Sequence, residues 1–378
     1  MKKLSTAYWV PFISISFFVS CGYTLYGAAM GEEKSGILES NSQPKVYPAD
    51  DFKGSFPTSV ILIISDGTGI GHYSTLYYGS DDFAPARFDH VGLVTTHPSD
   101  GSTKVTDSAA GGTALSTGEK TYNGAIAVDH DHNPLKTVVE WAEEKGMATG
   151  LVATSTISHA TPASFGSHID SRSKEAEISQ QLAESSIDVL FGGGSKYWEP
   201  ELFTNVINSG GQVIADISDA VDPLHRVVGL FSKESMITAN EGRSPSTVQM
   251  AEKAISILEH DPDGFFIMIE ESQVDWGGHA NSSEYVFGEM ESLNQVVNYC
   301  LDYQRTHPDV LVVLTADHET AGCSVNDGSD GALDIQFTGD HHTANFVPVW
   351  ATGPGSEAFD AFLDNTEIGK TLIRYIKN

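Results

Sequence analysis

Cysteine is scarce in this chain of 378 residues: there are three, and no Cys-x-x-Cys pair. Any zinc must therefore be held by nitrogen and oxygen ligands. Cys300 and Cys323 are open to two readings, a disulfide formed in an oxidising compartment or two buried free thiols. Basic residues are few as well, with 21 Lys and Arg against 51 Asp and Glu and a formal net charge of −30. A field of that sign repels a nucleic-acid backbone, so no nucleic-acid-binding surface is expected. A solvated acidic exterior, of the kind that suits a salty habitat, is the plain explanation. Long hydrophobic runs are also missing, and no Gly-x-Ser-x-Gly nucleophile elbow occurs.

The apolar stretch from Ala7 to Val19 is interrupted by serines and too short for a stable membrane span. With Lys2-Lys3 before it and small residues after it, it reads as an export signal over residues 1–21. Phe18-Val19-Ser20-Cys21 is similar to a bacterial lipoprotein cleavage box that would place a lipid on Cys21, and plain cleavage near Ala28-Ala29 is the alternative. The expected destination is the periplasm, a lipid-anchored place on the outer membrane or cell surface, or secretion. Residues 22–49, rich in Gly, Ser, Glu and Lys, read as a flexible tether.

From residue 50 to 378, strand-like runs alternate with helical patterns without a repeat or a composition break. The spacing predicts helices over Thr137–Lys145, Lys174–Ser185, Ser283–Gln304 and Glu367–Lys377, and one begun by Ser244-Pro245 and running to Glu259. Gly192-Gly193-Gly194 reads as a turn and the stretch 326–340 as an inserted loop. Repeated β-α units of this kind predict one α/β domain: a three-layer α/β/α sandwich around a mostly parallel sheet.

Three apolar runs end beside metal-ligand side chains. Val60 to Ser65 delivers Asp66; Phe265 to Ile269 delivers Glu270, then Asp275 and His279; Val310 to Leu314 delivers Asp317-His318. Buried parallel strands bind ligands beyond their carboxyl ends, so carboxylates and imidazoles gathered there suggest a site for several metal ions. His341-His342 precedes another strand and offers one further ligand. Gly277-Gly278 argues for a loop or ragged turn between Asp275 and His279. Asp129-His130-Asp131-His132-Asn133 is metal-like in composition, but its turn formers and Pro134 favour an exposed turn.

Thr106-Asp107-Ser108-Ala109-Ala110-Gly111-Gly112 places a serine at the start of a helix of small residues. Free amides and the helix dipole there stabilise an alkoxide or a phosphate, so Ser108 is either a nucleophile or an ordinary N-cap. Arg172 follows His159-Ala160-Thr161-Pro162-Ala163 and carries the planar fork that grips two phosphate oxygens at once.

Taken together, Ser65-Asp66-Gly67-Thr68-Gly69, Thr106-Asp107-Ser108-Ala109, His159-Ala160-Thr161-Pro162-Ala163, Asp275 with His279, Ala316-Asp317-His318-Glu319 and His342-Thr343 resemble, in order, the motifs of the alkaline phosphatases, of the bacterial branch with short insertions. The resemblance spans about residues 58 to 376 and implies two Zn2+ and one Mg2+ per subunit. One zinc would be held by Asp275, His279 and His342, and a second by Asp66, Asp317, His318 and the Ser108 oxygen. Magnesium would take Asp66, Thr161 and Glu270. Arg172 matches the phosphate-gripping arginine and Asp107 the carboxylate that orients it. The implied reaction is hydrolysis of small phosphate monoesters by in-line attack of Ser108, through a phosphoserine, in an enzyme that is commonly a homodimer.

His159 and Trp276 depart from the best-known bacterial pattern, which has Asp and Lys there. The first would loosen magnesium or admit zinc at the third site; the second would speed phosphate release. Related phosphodiesterases and sulfatases, and an exported metal- or phosphate-binding protein without turnover, are the competing readings. The missing Cys/Ser-x-Pro-x-Arg motif, the arginine and the serine weigh against them.

Overall fold

The computed structural model describes residues 55–378, so the leader, the tether and Cys21 lie outside the described residues. Within it no helix is long and apolar enough to cross a membrane. The strands are β1 (Ser59–Ser65), β2 (His90–Thr95), β3 (Ala148–Thr156), β4 (Val189–Gly193), β5 (Gln212–Ile214), β6 (Val227–Leu230) and β7 (Phe265–Glu271). They continue as β8 (Val310–Thr315), β9 (Glu319–Thr320), β10 (Ser324–Asp327), β11 (Leu333–Gln336), β12 (His342–Thr343), β13 (Val347–Thr352) and β14 (Phe362–Asp364). Ten form one sheet in the order β14-β2-β13-β8-β1-β7-β3-β4-β6-β5. Its pairings are parallel except at β13, which runs antiparallel to both neighbours.

Side chains that alternate along a strand explain the three layers. Val60, Leu62 and Ile64 of β1 join one apolar cluster, with Phe266, Met268, Leu311 and Val313. Ile61 and Ile63 point the other way, with Phe265, Ile267, Ile269 and Val312. Helices Ser108–Thr117, Val138–Glu144, Ala160–Gly166 and Asn365–Lys377 cover the first face. Helices Ile70–Gly79, Thr247–Leu258 and Ser283–Thr306 cover the second. Strands buried on both faces must be apolar throughout, which is why these runs read as they do.

Most predicted elements are present with ends shifted by a few residues, and four expectations are corrected. Asp275 to His279 is not a loop but most of a helix, Gln273–His279. Its glycines answer to packing: a Cβ on Gly277 would meet the Val286 backbone nitrogen at 2.8 Å, and one on Gly278 the Thr320 side chain at 2.9 Å. The stretch 326–340 holds a hairpin, in which β10 and β11 pair antiparallel. The helix expected from Ser244-Pro245 starts at Thr247, capped by Ser246, whose side chain accepts from the Gln249 amide. Gly192 and Gly193 belong to β4, and only Gly194 leaves the strand, at φ 97°. Cys300 and Cys323 are both free thiols.

One buried ion cluster ties the second helical layer to the sheet. Arg243, 7% exposed, reaches Glu271 at the end of β7 (2.6 Å) and Glu289 on helix Ser283–Thr306 (2.5 Å). Methionine at 243 would leave two carboxylates facing each other in the core, a loss of about 3–5 kcal/mol. Denaturant unfolding of Arg243→Met checks this, and a loss below 1 kcal/mol on the same scale would contradict it.

Candidate metal centre and nucleophile

The strand ends put the ligands at one level. Ile64 of β1 is level with Glu270 on β7 and Thr315 on β8, and Glu270 with Ala153 on β3. Asp66, Glu270, Asp317 and the residues after β3 therefore meet beyond the carboxyl edge, where the central strand β1 lies between β7 and β8. Asp317 and His318 are adjacent, yet both turn inward because the chain leaves the strand at Thr315.

Three groups of ligand atoms result: Asp275 with His318 and His342; Asp66 with Asp317 and His318; and Asp66 with His159 and Glu270. His279 joins the first region, its Nε2 lying 3.4 Å from Asp275 Oδ2 and 3.1 Å from His342 Nε2. His341 is turned away and 88% exposed, which singles out His342 of the pair. His159 lies with the third group, and Thr161 is buried on the adjoining helix Ala160–Gly166.

Asp66 Oδ1 and Oδ2, Asp317 Oδ2, Glu270 Oε1, Thr161 Oγ1 and His159 Nδ1 are buried without a hydrogen-bond partner. Unpaired polar atoms of this kind are costly unless something positive lies among them, so the set fits metal ions. Imidazole and carboxylate donors suit zinc, and the oxygen-rich group around Asp66, Glu270 and Thr161 suits magnesium. Without ions, burial, reinforced by Asp317, Asp275 and Glu270, pushes the Asp66 pKa well up. Burial likewise raises Glu270 and Asp317 to about 7 each. Asp275 goes the other way: burial raises its pKa, but the hydrogen bond with His279 and the nearby histidines outweigh it and hold it below the usual range. Burial keeps His318 and His342 neutral, the form a metal ligand needs.

The ambiguity at the small-residue helix is resolved by its cap. Asp107, not Ser108, is the N-cap, accepting from the Ala110 amide at 3.0 Å. Ser108 is thus the first helical residue, its hydroxyl free of capping, with Oγ 3.2 Å from His318 Nε2. Small residues are required behind it: a Cβ on Gly111 would meet the Asp317 carbonyl oxygen at 2.8 Å, and one on Gly112 the Ser164 hydroxyl at 3.1 Å.

Asp107 also accepts from the Gly124 amide and from Arg172 Nη1 at 3.1 Å. Arg172 Nη2 donates to His159 Nε2 at 3.2 Å, and the His159 ring meets Trp276 edge to face with centroids 5.9 Å apart. His130 and His132 stay in an exposed turn organised by Asp129, whose carboxylate accepts from the Asp131 and Asn133 amides.

Several groups at the site were given no role by the sequence. Ser272 and Ser155 donate to Glu270 Oε2 at 2.6 and 3.3 Å. Glu319 accepts from the Gly322 and Cys323 amides and from the Thr343 hydroxyl, holding the segment of His318 to that of His342. Thr320 touches both Asp275 and His318. Serine and threonine are too common in turns to be noticed without coordinates. Position beside Asp317-His318 was the one available hint for Glu319 and Thr320.

Comparison with known proteins accords with this geometry. The family model described as "Alkaline phosphatase" matches residues 59–211 and 215–332. Alkaline phosphatase 3 of Bacillus subtilis (strain 168) is 35% identical, covering 90% of this chain and 94% of that protein. The structure of alkaline phosphatase from the Antarctic bacterium TAB5 superposes with a TM-score of 0.81 at 34% identity, over 86% of this chain and 99% of that one. A variant of the TAB5 enzyme with aspartate in place of a histidine, described with Mg bound in its M3 site, superposes with a TM-score of 0.80 at 34% identity, over 86% and 99%.

Proposed function

Because the chain belongs to the alkaline phosphatase family, and is thereby a metal-dependent phosphoric monoester hydrolase, we propose that it acts through a phosphoserine on Ser108 in a site loaded with two Zn2+ and one Mg2+. The observation that carries this reading is the hydroxyl of Ser108, released from capping by Asp107 and set 3.2 Å from His318 Nε2 among the ligand groups.

In this reading Asp275, His279 and His342 hold one zinc, and Asp66, Asp317 and His318, with Ser108 Oγ, hold the other. Asp66, Glu270 and Thr161 hold magnesium; His159 lies beside them, but its Nε2 accepts from Arg172, so its Nδ1 carries the proton and it loosens the magnesium site as a neighbour rather than as a donor. When bound, the ions lower the pKa of the serine and stabilise the entering and leaving oxygens of an in-line displacement. Ser108 Oγ attacks phosphorus, the ester bond to the alcohol breaks, and water then displaces Ser108 to free phosphate. Arg172 grips two non-bridging oxygens, its direction fixed by Asp107 on one nitrogen and His159 on the other. A monoester keeps a third free oxygen for the ions while the fork holds two, which a diester cannot do, and this favours monoesters. The ions and Arg172 make the site locally cationic inside an acidic molecule, so a dianion is attracted there. Export by the leader, with or without a lipid on Cys21, and a homodimer complete the proposal.

Hydrolysis of p-nitrophenyl phosphate at alkaline pH, with and without a chelator, tests this reading. Activity that survives chelation and re-dialysis would sink it. Trp276 stands where a lysine would add a charge near bound phosphate. Trp276→Lys is therefore expected to lower the inhibition constant of inorganic phosphate by roughly tenfold, one charge-assisted contact. Steady-state inhibition measures it, and an unchanged constant would remove Trp276 from product release.

A further inference from the structure

The three imidazoles at the centre are oriented differently. His279 Nδ1 lies 2.7 Å from the Asp340 carbonyl and His342 Nδ1 2.9 Å from that of Thr106. A carbonyl only accepts, so in each ring Nδ1 carries a proton and Nε2 is the atom left to face a metal, in His279 in exchange for the proton it shares with Asp275. His318 has no such carbonyl. Its Nδ1 faces the Thr320 hydroxyl at 3.3 Å, and the same hydroxyl bonds Asp275 Oδ1. The Asp275 carboxylate can only accept, so Thr320 donates to it, and the oxygen's remaining lone pair takes the proton of His318 Nδ1.

Thr320 is buried and fixed from every side. Its amide donates to the Gly67 carbonyl at 2.9 Å, next to Asp66, and it pairs with His342 across β9 and β12. A Cβ on Gly67 would lie 2.7 Å from Thr320 Oγ1, and one on Gly278 would lie 2.9 Å from its Cγ2. Those glycines leave room for a threonine in one rotamer. A single hydroxyl thus joins a ligand of one zinc group to a ligand of the other.

We propose that Thr320 Oγ1 is a positioning bridge that couples the two zinc sites, so that an ion on Asp275 orders the His318 imidazole for the ion beside it. This rests on the zinc assignments of the proposed function. Each ion that fixes Asp275 or His318 holds the shared hydroxyl in place for the other, which makes zinc binding cooperative.

The test is a double-mutant cycle read by zinc titration of the full chain against a competing chromophoric chelator. Thr320→Val keeps shape and loses the hydroxyl, Thr320→Ser keeps the hydroxyl, and His279→Ala removes a ligand of the first site without touching Thr320. Thr320→Val is expected to weaken zinc at both sites by about 10–100-fold, as loss of an orienting partner does. Thr320→Ser should stay within about threefold of wild type on the same scale. In the wild-type background His279→Ala should also weaken the remaining site by roughly tenfold, within the usual range of couplings, and in the valine background it should add nothing. Equal effects of His279→Ala in both backgrounds, or weakening confined to one site, would overturn the bridge. A wild type that takes up no zinc would overturn the site assignment itself, a separate result. If the valine variant does not fold, Thr320→Ala removes the same hydroxyl with less bulk and is read the same way.

Discussion

Alanine at position 108 is expected to lower the turnover of p-nitrophenyl phosphate by about a thousandfold or more while zinc and magnesium contents stay near wild type. Ser108 is 1% exposed and its hydroxyl takes no part in the helix cap, which Asp107 supplies. Removing it therefore does not unravel the helix. Asp66, Asp317 and His318 remain to hold the neighbouring ion. What disappears is the nucleophile, and with it the division of one difficult displacement into two easier ones. Residual activity would come from direct attack by water at a site still able to bind the monoester. Quench experiments with labelled phosphate at mildly acid pH should find label on the wild-type protein and none on Ser108→Ala. Label retained by the variant, or turnover within tenfold of wild type, would refute the assignment of Ser108, since the nucleophile is worth far more than that.

Stripping the metal should abolish activity and also change the way stability responds to pH. In the protein without ions, burial raises the Glu270 and Asp317 pKa values to about 7, and that of Asp66 well above its ordinary range. A carboxyl group whose pKa is higher in the folded state binds more protons folded than unfolded. Its contribution is full below the ordinary carboxylate pKa and fades as pH rises through the folded value. Between about pH 4 and 7, the interval from the ordinary carboxylate pKa to the raised ones, the stability that these three carboxyls contribute to the apoprotein should therefore fall with rising pH, while the histidines that burial holds neutral, His72, His159, His318 and His342, contribute with the opposite sign. Divalent ions compensate the carboxylates and remove that loss, with the ions themselves stabilising the folded state by mass action. Thermal unfolding of chelated and reloaded protein at pH 5, 6, 7 and 8 gives the comparison. The gap in Tm should widen toward pH 8, and a gap that is constant or narrows would contradict the charge argument.

How much of this was legible beforehand depended on how local each interaction is. The buried strands β1, β7 and β8 declared themselves because both faces are covered and every residue must be apolar. Asp66, Glu270, Asp317 and His318 stood out as candidate ligands from where those runs stop, and the structure brings them together. The helix containing Asp275 and His279 is more regular than the loop or ragged first turn that Gly277-Gly278 suggest. Gly277 and Gly278 are unfavourable in a helix by themselves, and the need for them lies in Val286 and Thr320, which the local sequence does not reveal. Ser244-Pro245 was misread as a helix start because Ser246, with Gln249 three residues on, completes the reciprocal cap. The hairpin of β10 and β11 was missed because its residues are mostly exposed and the short Leu333-Asp334-Ile335-Gln336 alternation is hidden in a Gly- and Asp-rich stretch.

Sequence by itself determined the layered α/β architecture, the set of chemistry-bearing residues and their order, because strand burial, helix periodicity and ligand type are properties of residues and near neighbours. Only the tertiary structure decided that Asp107 caps the helix and frees Ser108, that the ring of His342, already preferred to His341 on sequence, is set against the Thr106 carbonyl, and that Thr320 lies between Asp275 and His318. Those outcomes depend on contacts across as many as 236 positions of chain, as from His342 to Thr106. Such contacts form only once the sheet has closed and each buried polar group has found the partner its burial demands.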